Sequence, residues 1–226
     1  MFKALLCTSI AAESVEAMFD KVSMAFAQGS DLVELRLDTL RKPSVTTITH
    51  LFRDSMDRII VALRPKFEGG KFAGPEKRRV EMLFELSQET KPYLFDVELR
   101  TLMDNTQLRK SIDKSKLIIS WHNMELTPSH STLTYIAKKA ADMGYFAKIV
   151  TRARSTEDNI RVLSLYRQKF ANRLIAFCMG DLGVPSRFVS ILLGNPIIYC
   201  SLPYEPVAEG QVPLPIMHKM MELVDY

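Results

Sequence analysis

Residues 116–151 read KLIISWHNMELTPSHSTLTYIAKKAADMGYFAKIVT and contain one full copy of the pattern that decides the fold. An apolar, β-rich run at 116–122 is followed by an amphipathic stretch at 131–143 and by a second such run at 145–151. The amphipathic stretch places Leu133, Ile136, Ala140 and Met143 on one helical face. The segment therefore predicts a strand, a helix and another strand.

The β-rich run recurs along the whole chain, eight times in all, at 3–8, 32–38, 59–64, 93–99, 116–122, 145–151, 174–180 and 196–202. Amphipathic stretches stand between the runs, at 12–27, 76–86, 131–143 and 156–170. Strand and helix alternating eight times predict the α/β class and a (β/α)₈ TIM barrel. With no linker or repeat in sight, the prediction is one compact catalytic domain over residues 1–226.

An open, doubly wound sheet is the alternative fold for alternating strands and helices. Such a sheet usually carries a glycine-rich phosphate-binding turn after an early strand. Here the first glycine after the run at 3–8 is Gly29. The barrel is therefore the favoured interpretation.

The composition of the 226 residues excludes several classes of protein. Hydrophobic residues make up 47% and charged residues 25%, which is typical of a globular chain and not of a disordered one. No apolar run approaches the roughly 20 residues that span a bilayer. The formal charge of +4 permits an anionic ligand without indicating nucleic acid. Neither a membrane nor a nucleic acid is predicted as a partner.

The cysteines and the amino-terminal residues indicate in which cellular compartment the protein is expected. Cys7, Cys178 and Cys200 are an odd number and lie inside apolar runs, which favours buried thiols in a reducing cytoplasm. No Cys and His residues have the spacing of metal ligands, so no metal site is predicted. The apolar stretch near the start is too short for a secretory signal and is predicted to be the first strand.

Ionisable residues interrupt six of the eight runs near or just after their carboxyl ends. Buried parallel strands should be continuously apolar, so these charges need an explanation. They are Glu34, Arg36, Arg64, Asp96, Glu98, His122, Lys148 and Arg187. A structural network of ion pairs is one interpretation. So many ionisable groups at the mouth of a barrel, where active sites of this fold lie, favour a catalytic site instead.

The residue types indicate a chemistry. Lys148 lies in an almost wholly apolar run, and desolvation favours the neutral, nucleophilic amine that forms a Schiff base with a ketone. His122, one strand earlier, is suited to move a proton near neutrality. Arginines such as Arg187 offer bidentate docking for a carboxylate. Together they predict imine-assisted removal of a proton next to the carbonyl of a small anionic keto acid.

Seven short motifs occur in order on successive predicted strands and loops. They are Val33-Glu34-Leu35-Arg36, Leu63-Arg64 with Glu68-Gly69-Gly70, Phe95-Asp96-Val97-Glu98-Leu99, Ser120-Trp121-His122, Ala147-Lys148-Ile149, Met179-Gly180 through Gly183 to Ser186-Arg187, and Glu209-Gly210-Gln211. With these motifs the chain resembles the type I 3-dehydroquinate dehydratase family over nearly its whole length.

The resemblance implies a homodimeric (β/α)₈ barrel that converts 3-dehydroquinate to 3-dehydroshikimate in the shikimate pathway, without metal or organic cofactor. By its position in the motifs, Lys148 corresponds to the imine-forming lysine and His122 to the residue that moves the C2 proton. Glu68 and Asp96 correspond to the acids that hold and tune this histidine. The implied substrate-binding residues are Glu34, Arg36 and Arg64 for the ring hydroxyls, Arg187 for the carboxylate and Gln211 on the closing loop.

The last loop departs from the family pattern. Where the family usually has Ser-x-Pro-Gly-Gln, this chain has Val207-Ala208-Glu209-Gly210-Gln211. The serine hydroxyl and the proline are missing, which predicts a lost substrate contact and a less rigid loop.

Two other functions remain open. A different Schiff-base lyase or aldolase on the same barrel would share Lys148, because a fold and a lysine do not fix the substrate. A barrel used only for binding would show site positions replaced by apolar residues, and Val207 is the position that looks altered.

Overall fold

The computed structural model of the chain describes residues 4–224. Its strands are β1 Leu5–Ile10, β2 Leu32–Arg36, β3 Ile59–Ala62, β4 Leu94–Glu98, β5 Leu117–Asn123, β6 Phe146–Arg152, β7 Leu174–Met179, β8 Ile197–Ser201 and β9 Val212–Pro213. Each predicted run overlaps one of the first eight strands, and three strands, β1, β5 and β6, end one or two residues beyond their runs. The predicted start of the first run, Lys3, lies outside the described residues. Strand β9 was not predicted, because two residues are too few to show a periodicity.

The strands form one curled parallel sheet in the order β7-β6-β5-β4-β3-β2-β1-β8-β9. Strands β1 to β7 follow one another in chain order without the reversal of a doubly wound sheet, and β1 also pairs with the last long strand, since Cys7 lies opposite Leu32 of β2 and Tyr199 of β8. This pairing confirms the predicted (β/α)₈ barrel and excludes the open, doubly wound sheet.

The backbone ladder does not run the whole way round the barrel. Among the described residues no ladder joins β7 to β8. The edge of β8 away from β1 pairs instead with β9, where Cys200 lies opposite Val212. Just before β9, the Glu209 carbonyl accepts a hydrogen bond of 3.4 Å from Gly180, at the end of β7. The chain segment that ends in β9 therefore bridges the two strands.

The helices are α1 Val15–Ala27, α2 Val45–Leu51, α3 Glu76–Glu89, α4 Leu99–Asp104, α5 Thr106–Ser111, α6 His130–Met143, α7 Thr156–Leu163, α8 Val184–Leu192 and α9 Leu214–Val224. All four predicted amphipathic stretches overlap a helix. None of the helices between residues 4 and 224 has the length and apolar character needed to cross a membrane.

Helix α7 is shorter than the predicted stretch 156–170. Its start is fixed by a capping box between Ser155 and Asp158. At its end the Ser164 hydroxyl donates to the Arg161 carbonyl at 2.7 Å, and the chain tightens into a 3₁₀ turn over Ser164–Arg167. Ile160, an apolar residue of the predicted amphipathic stretch, is 69% exposed.

The alternation of side chains along each strand positions the site. In β4, Leu94, Asp96 and Glu98 are two residues apart and point to the inside of the barrel. Leu94 belongs to an apolar cluster that fills the barrel near the amino ends of its strands, with Ile60, Ile118 and Ile175. The residues between them face outward and pack under the helices. Charged side chains are thereby confined to the carboxyl ends of the strands.

Candidate active site

One cavity at the carboxyl ends of the strands contains most of the predicted site. Eight of the nine predicted residues line it, namely Glu34, Arg36, Arg64, Glu68, His122, Lys148, Arg187 and Gln211. The ninth, Asp96, is buried and reaches the cavity through its contacts with Arg64 and Lys148.

Lys148 projects from the middle of β6 into the barrel and is 4% exposed. Its Nζ donates to Glu34 Oε1 at 3.0 Å and to Asp96 Oδ2 at 2.8 Å. The same atom lies 3.7 Å from the centre of the Tyr199 ring. Lys148 is thus desolvated and held in one direction, as a nucleophilic amine requires.

Asp96 does not hold His122 directly, although its charge acts to raise the pKa of the histidine, as the predicted tuning role requires. It was expected to hold His122, but its Oδ2 pairs with Lys148 and, at 2.8 Å, with Arg64 Nη2. In the register of β4 and β5, Asp96 lies opposite Ile118, deeper in the barrel than His122. Burial alone would raise the pKa of Asp96, but Arg64 and Lys148 hold it well below its usual value. Asp96 therefore stays ionised beside the lysine.

Arg64 connects Asp96 to a second buried carboxylate. Its Nη1 donates to Glu98 Oε1 at 2.7 Å and to the Ser120 hydroxyl at 2.5 Å. The other oxygen of Glu98 accepts from Arg79 Nη1 at 2.9 Å. Burial would lower the pKa of Arg64, but Asp96 and Glu98 raise it, so its charge is permanent. These alternating charges fix Arg64 at the cavity wall.

His122 and Glu68 form the second reactive unit. Glu68 Oε2 lies 2.9 Å from His122 Nδ1 and accepts the backbone N–H of His122 at 3.0 Å. Burial and then the cations Arg64 and Lys148 hold the pKa of His122 well below its usual value. Burial and then Glu98 raise the pKa of Glu68 to about 8. The imidazole of His122 is therefore neutral and is joined to Glu68 by a hydrogen bond. When Glu68 is ionised it accepts the N–H of Nδ1, and Nε2 is then unprotonated and can act as a base.

Arg187 on α8 is a buried cation with unused hydrogen-bonding capacity. Among the described residues its Nε has no hydrogen-bond partner, and its guanidinium lies 4.3 Å from the centre of the Phe177 ring. Burial lowers the pKa of Arg187 to about 10, so the side chain remains charged near neutrality. It is suited to a carboxylate. Arg36, by contrast, is already bound by both oxygens of Asp38 at 2.9 Å.

The loop before β9 closes over one side of the cavity. Gln211 Oε1 accepts from the backbone N–H of Val207 at 2.8 Å and of Ala208 at 3.3 Å, while Nε2 donates to Cys200 O at 2.9 Å and Ser9 Oγ at 3.1 Å. Gln211 was predicted to contact substrate; in this structure its side chain pins the loop.

Glu209 supplies a second attachment for the same loop. It stands where the family usually has proline, and its carboxylate pairs with Arg152 Nη2 at 2.8 Å. Gly210 follows with φ +70°, and a Cβ there would lie 2.6 Å from the carbonyl oxygen of Gly180. The loop lacks the proline, but an ion pair and a close glycine contact hold it against the end of β7.

No metal site accompanies this arrangement within residues 4–224. No group of three or more His, Cys, Asp or Glu side chains in that part of the chain is placed to hold a metal ion. The prediction that the reaction needs neither metal nor organic cofactor stays a prediction.

Several residues of the site were missed from the sequence. Asp38 holds Arg36 and also accepts the backbone N–H groups of Arg64 and Lys71. Tyr199 lines the cavity but lies in a run that was interpreted only as apolar. Arg79 belongs to the basic run Lys77-Arg78-Arg79, which by its charge predicts a solvated helix face, and is in fact 1% exposed. The sequence offered one indication that Arg79 is buried, namely its position on the otherwise apolar face of its helix.

A (β/α)₈ barrel with a buried amine, a base and a buried arginine with an unpartnered donor at the carboxyl ends of its strands defines a barrel enzyme. The family model described as type I 3-dehydroquinase matches residues 6–225. The chain therefore belongs to the type I 3-dehydroquinase family. The predicted family is confirmed, and with it the enzyme class, a lyase that removes water.

Individual relatives agree with this assignment. The chain is 32% identical to the 3-dehydroquinate dehydratase of Methanopyrus kandleri, over 97% of this chain and 100% of the relative. It is 33% identical to the enzyme of that name from Pyrococcus abyssi, over 97% and 98% of the two chains. The crystal structure of 3-dehydroquinate dehydratase from Geobacillus kaustophilus superposes with a TM-score of 0.88 at 21% identity, covering 99% and 91%, and supports the fold.

Proposed function

We propose that this protein dehydrates 3-dehydroquinate to 3-dehydroshikimate through a Schiff base on Lys148, in the shikimate pathway of aromatic amino acid synthesis. The observation that carries the proposal is the buried Lys148 amine sharing one cavity with the His122–Glu68 pair and Arg187. The names of the relatives and the family match support the same substrate.

In the proposed reaction the ammonium of Lys148 gives one proton to a neighbouring carboxylate, and the neutral amine attacks the ketone carbon. That proton and one amine hydrogen leave with the carbonyl oxygen as water, and the other amine hydrogen stays on the nitrogen. The resulting iminium makes the adjacent carbon acidic, and His122 Nε2 removes its proton. The electron pair of the broken C–H bond forms an enamine, which expels the hydroxyl group of the substrate. His122 returns its proton to that hydroxyl, so a second water leaves. Water then hydrolyses the iminium and restores Lys148.

The remaining predicted residues bind the substrate in this proposal. Arg187 takes the carboxylate through charge-assisted hydrogen bonds. Glu34, Arg36 and Arg64 bind the ring hydroxyls from the opposite side of the cavity, and the loop carrying Gln211 excludes water from a hydrolysable imine.

The direct test is to supply 3-dehydroquinate and follow the ultraviolet absorbance of the conjugated enone product. We expect absorbance to rise with the protein and to be unaffected by EDTA. An absence of product from 3-dehydroquinate, together with turnover of another hydroxy-keto acid, would replace this function by that of another Schiff-base lyase. Loss of activity in EDTA, restored by a divalent cation, would contradict a cofactor-free reaction.

The Glu68 carboxyl is expected to govern the alkaline pH dependence. Because the pKa of Glu68 is raised to about 8, its carboxyl is protonated below that pH and donates a hydrogen bond to His122 Nδ1. The proton of the neutral imidazole then lies on Nε2, so Nε2 cannot act as a base. We expect kcat/KM to rise with pH through about 8 as the base-competent form appears. In Glu68→Gln this inflection should disappear and kcat/KM should fall, while the exposed-helix control Glu85→Gln should keep the wild-type profile. An unchanged inflection in Glu68→Gln would assign it to another group.

The closing loop is expected to control substrate affinity. Gln211→Ala removes four hydrogen bonds that pin the loop, and we expect KM to rise about tenfold or more. Gln211→Glu keeps the acceptor for Val207 and Ala208 but loses the donor, so its KM should lie between those of the wild type and Gln211→Ala. A silent Gln211→Ala variant would show that this loop is not the lid.

Val207→Ser tests the missing family hydroxyl. Val207 lines the cavity, and a serine there should restore one hydrogen bond to a substrate oxygen. A net gain of about 0.5–1.5 kcal/mol corresponds to a two- to tenfold lower KM. A higher KM would mean that Val207 contributes more by packing in the closed loop than the hydroxyl supplies.

We also propose a cytoplasmic homodimer with the whole chain as one catalytic domain. The three cysteines are buried and unpaired, which suits a reducing compartment.

Exposed apolar side chains suited to a subunit contact lie on one region of the surface. This region is formed by α7, the turn Asp181–Gly183 and α8 with the residue after it, and its side chains are Ile160, Leu182, Val189, Leu192 and Leu193. Sedimentation of wild type and of Leu192→Asp should give a dimer and a monomer; a monomeric wild type would exclude the proposal.

A further inference from the structure

Tyr199 occupies a place in the barrel that its neighbours make chemically significant. Four inward-pointing residues, one from each even-numbered strand, converge at the level of the lysine, namely Glu34, Asp96, Lys148 and Tyr199. Such layers of four fill barrels of this type and are normally apolar. Here three members are charged, and Tyr199 is the fourth, with the face of its ring 3.7 Å from Lys148 Nζ.

The hydrogen count at Nζ changes during imine formation. The ammonium of Lys148 has three N–H groups, two of which go to Glu34 and Asp96. When the amine condenses with a ketone, a C–N bond forms, two of these hydrogens leave with the carbonyl oxygen as water, and one stays on a positively charged nitrogen. The iminium can donate to only one of the two carboxylates. A contact that needs no hydrogen, such as the face of an aromatic ring, survives the change.

We propose that Tyr199 is a catalytic residue of this enzyme, whose ring face stabilises the positive charge of the iminium on Lys148 and so keeps the imine protonated while the substrate proton is removed. The inference rests on the proposed Schiff-base function. A neutral imine is a poor electron sink, so an interaction that favours the protonated form acts directly on the step performed by His122.

The state of the phenol is consistent with this role. Burial and then the Glu34 carboxylate raise the pKa of Tyr199 well above its usual value, so the ring is a neutral phenol. Its hydroxyl has no hydrogen-bond partner among the described residues. The ring therefore contributes through its π face, and the hydroxyl is expected to be dispensable.

The test replaces Tyr199 by phenylalanine and then by monofluoro-, difluoro- and trifluorophenylalanine. Fluorine withdraws electron density from the ring face with little change in volume, so it weakens attraction for a cation without opening a cavity. We expect Tyr199→Phe to keep kcat within about threefold of wild type, and kcat to fall stepwise along the fluorinated series by about tenfold in total. KM should change little. The same series at Phe52, a fully buried ring that faces Phe19, is the matched control and should leave kcat unchanged.

Two measurements separate this inference from the function on which it rests. Borohydride reduction of the wild type with 3-dehydroquinate must trap an adduct; if it does not, the Schiff-base function fails and the inference falls with it. If the adduct forms and kcat is the same along the series at position 199, the function stands and the role of Tyr199 is wrong. A fall at Phe52 equal to that at position 199 would also overturn it, because fluorination would then be acting on packing.

Discussion

Replacing Lys148 is expected to abolish turnover of 3-dehydroquinate and to remove the borohydride-trapped adduct. Without the amine no covalent route exists, and we expect kcat/KM to fall by at least about 10⁴-fold. In the wild type, reduction with substrate present should add one substrate-derived mass to the peptide that contains Lys148. Peptide mapping by mass spectrometry checks the position.

The choice of substitution matters because Lys148 neutralises two buried carboxylates. Lys148→Ala leaves Glu34 and Asp96 without their shared cation, and loss of one member of a buried pair typically costs about 3–5 kcal/mol of stability. Lys148→Arg keeps a buried cation but cannot form the imine, so it should fold and still be inactive. Turnover by Lys148→Arg, or a label on Lys66, Lys71 or Lys139, would overturn the assignment.

Replacing His122 is expected to separate imine formation from proton removal. In His122→Ala the amine of Lys148 is unchanged, so borohydride should still trap an adduct with substrate. Removal of the proton should slow by about 10²–10⁴-fold, the usual contribution of one positioned acid–base group. Single-turnover absorbance measures that step directly, and saturation with substrate should not restore it.

The matched control for His122 lies on the surface. His130 contacts the hydroxyls of Ser164 and Thr134 outside the cavity, and His130→Ala should leave kcat unchanged. A His122→Ala variant with nearly normal turnover would remove His122 from the mechanism. A variant that also fails to form the adduct would mean that His122 acts in the condensation as well.

The sequence predicts the barrel well because its signal is repeated. Each inner strand must be apolar where it crosses the core, and charges such as Asp96 stand out against that background. For the same reason the sequence predicts that the cavity residues lie together. A parallel barrel brings the carboxyl ends of all its strands to one place.

The partners of these residues could not be predicted in the same way. Asp96 and Glu68 are both carboxylates near the ends of the strands, and only the register shows that Asp96 lies too deep for His122 while Glu68 reaches it from a loop. Tyr199 carries no net charge and so resembled its apolar neighbours. The hydrogen bonds of Gln211 depend on a loop conformation that no periodicity encodes.

The gap in backbone pairing between β7 and β8 gives the loop before β9 a second role besides covering the substrate. An unpaired strand edge is a template for pairing with another chain, and proteins normally cover such edges. Here the cover is β9, continuous with the loop that we propose closes over the substrate. If opening of this loop also separates β9 from β8, the outer edge of β8 is exposed to other molecules in solution. We therefore expect a ligand that favours the closed loop to slow aggregation of the protein.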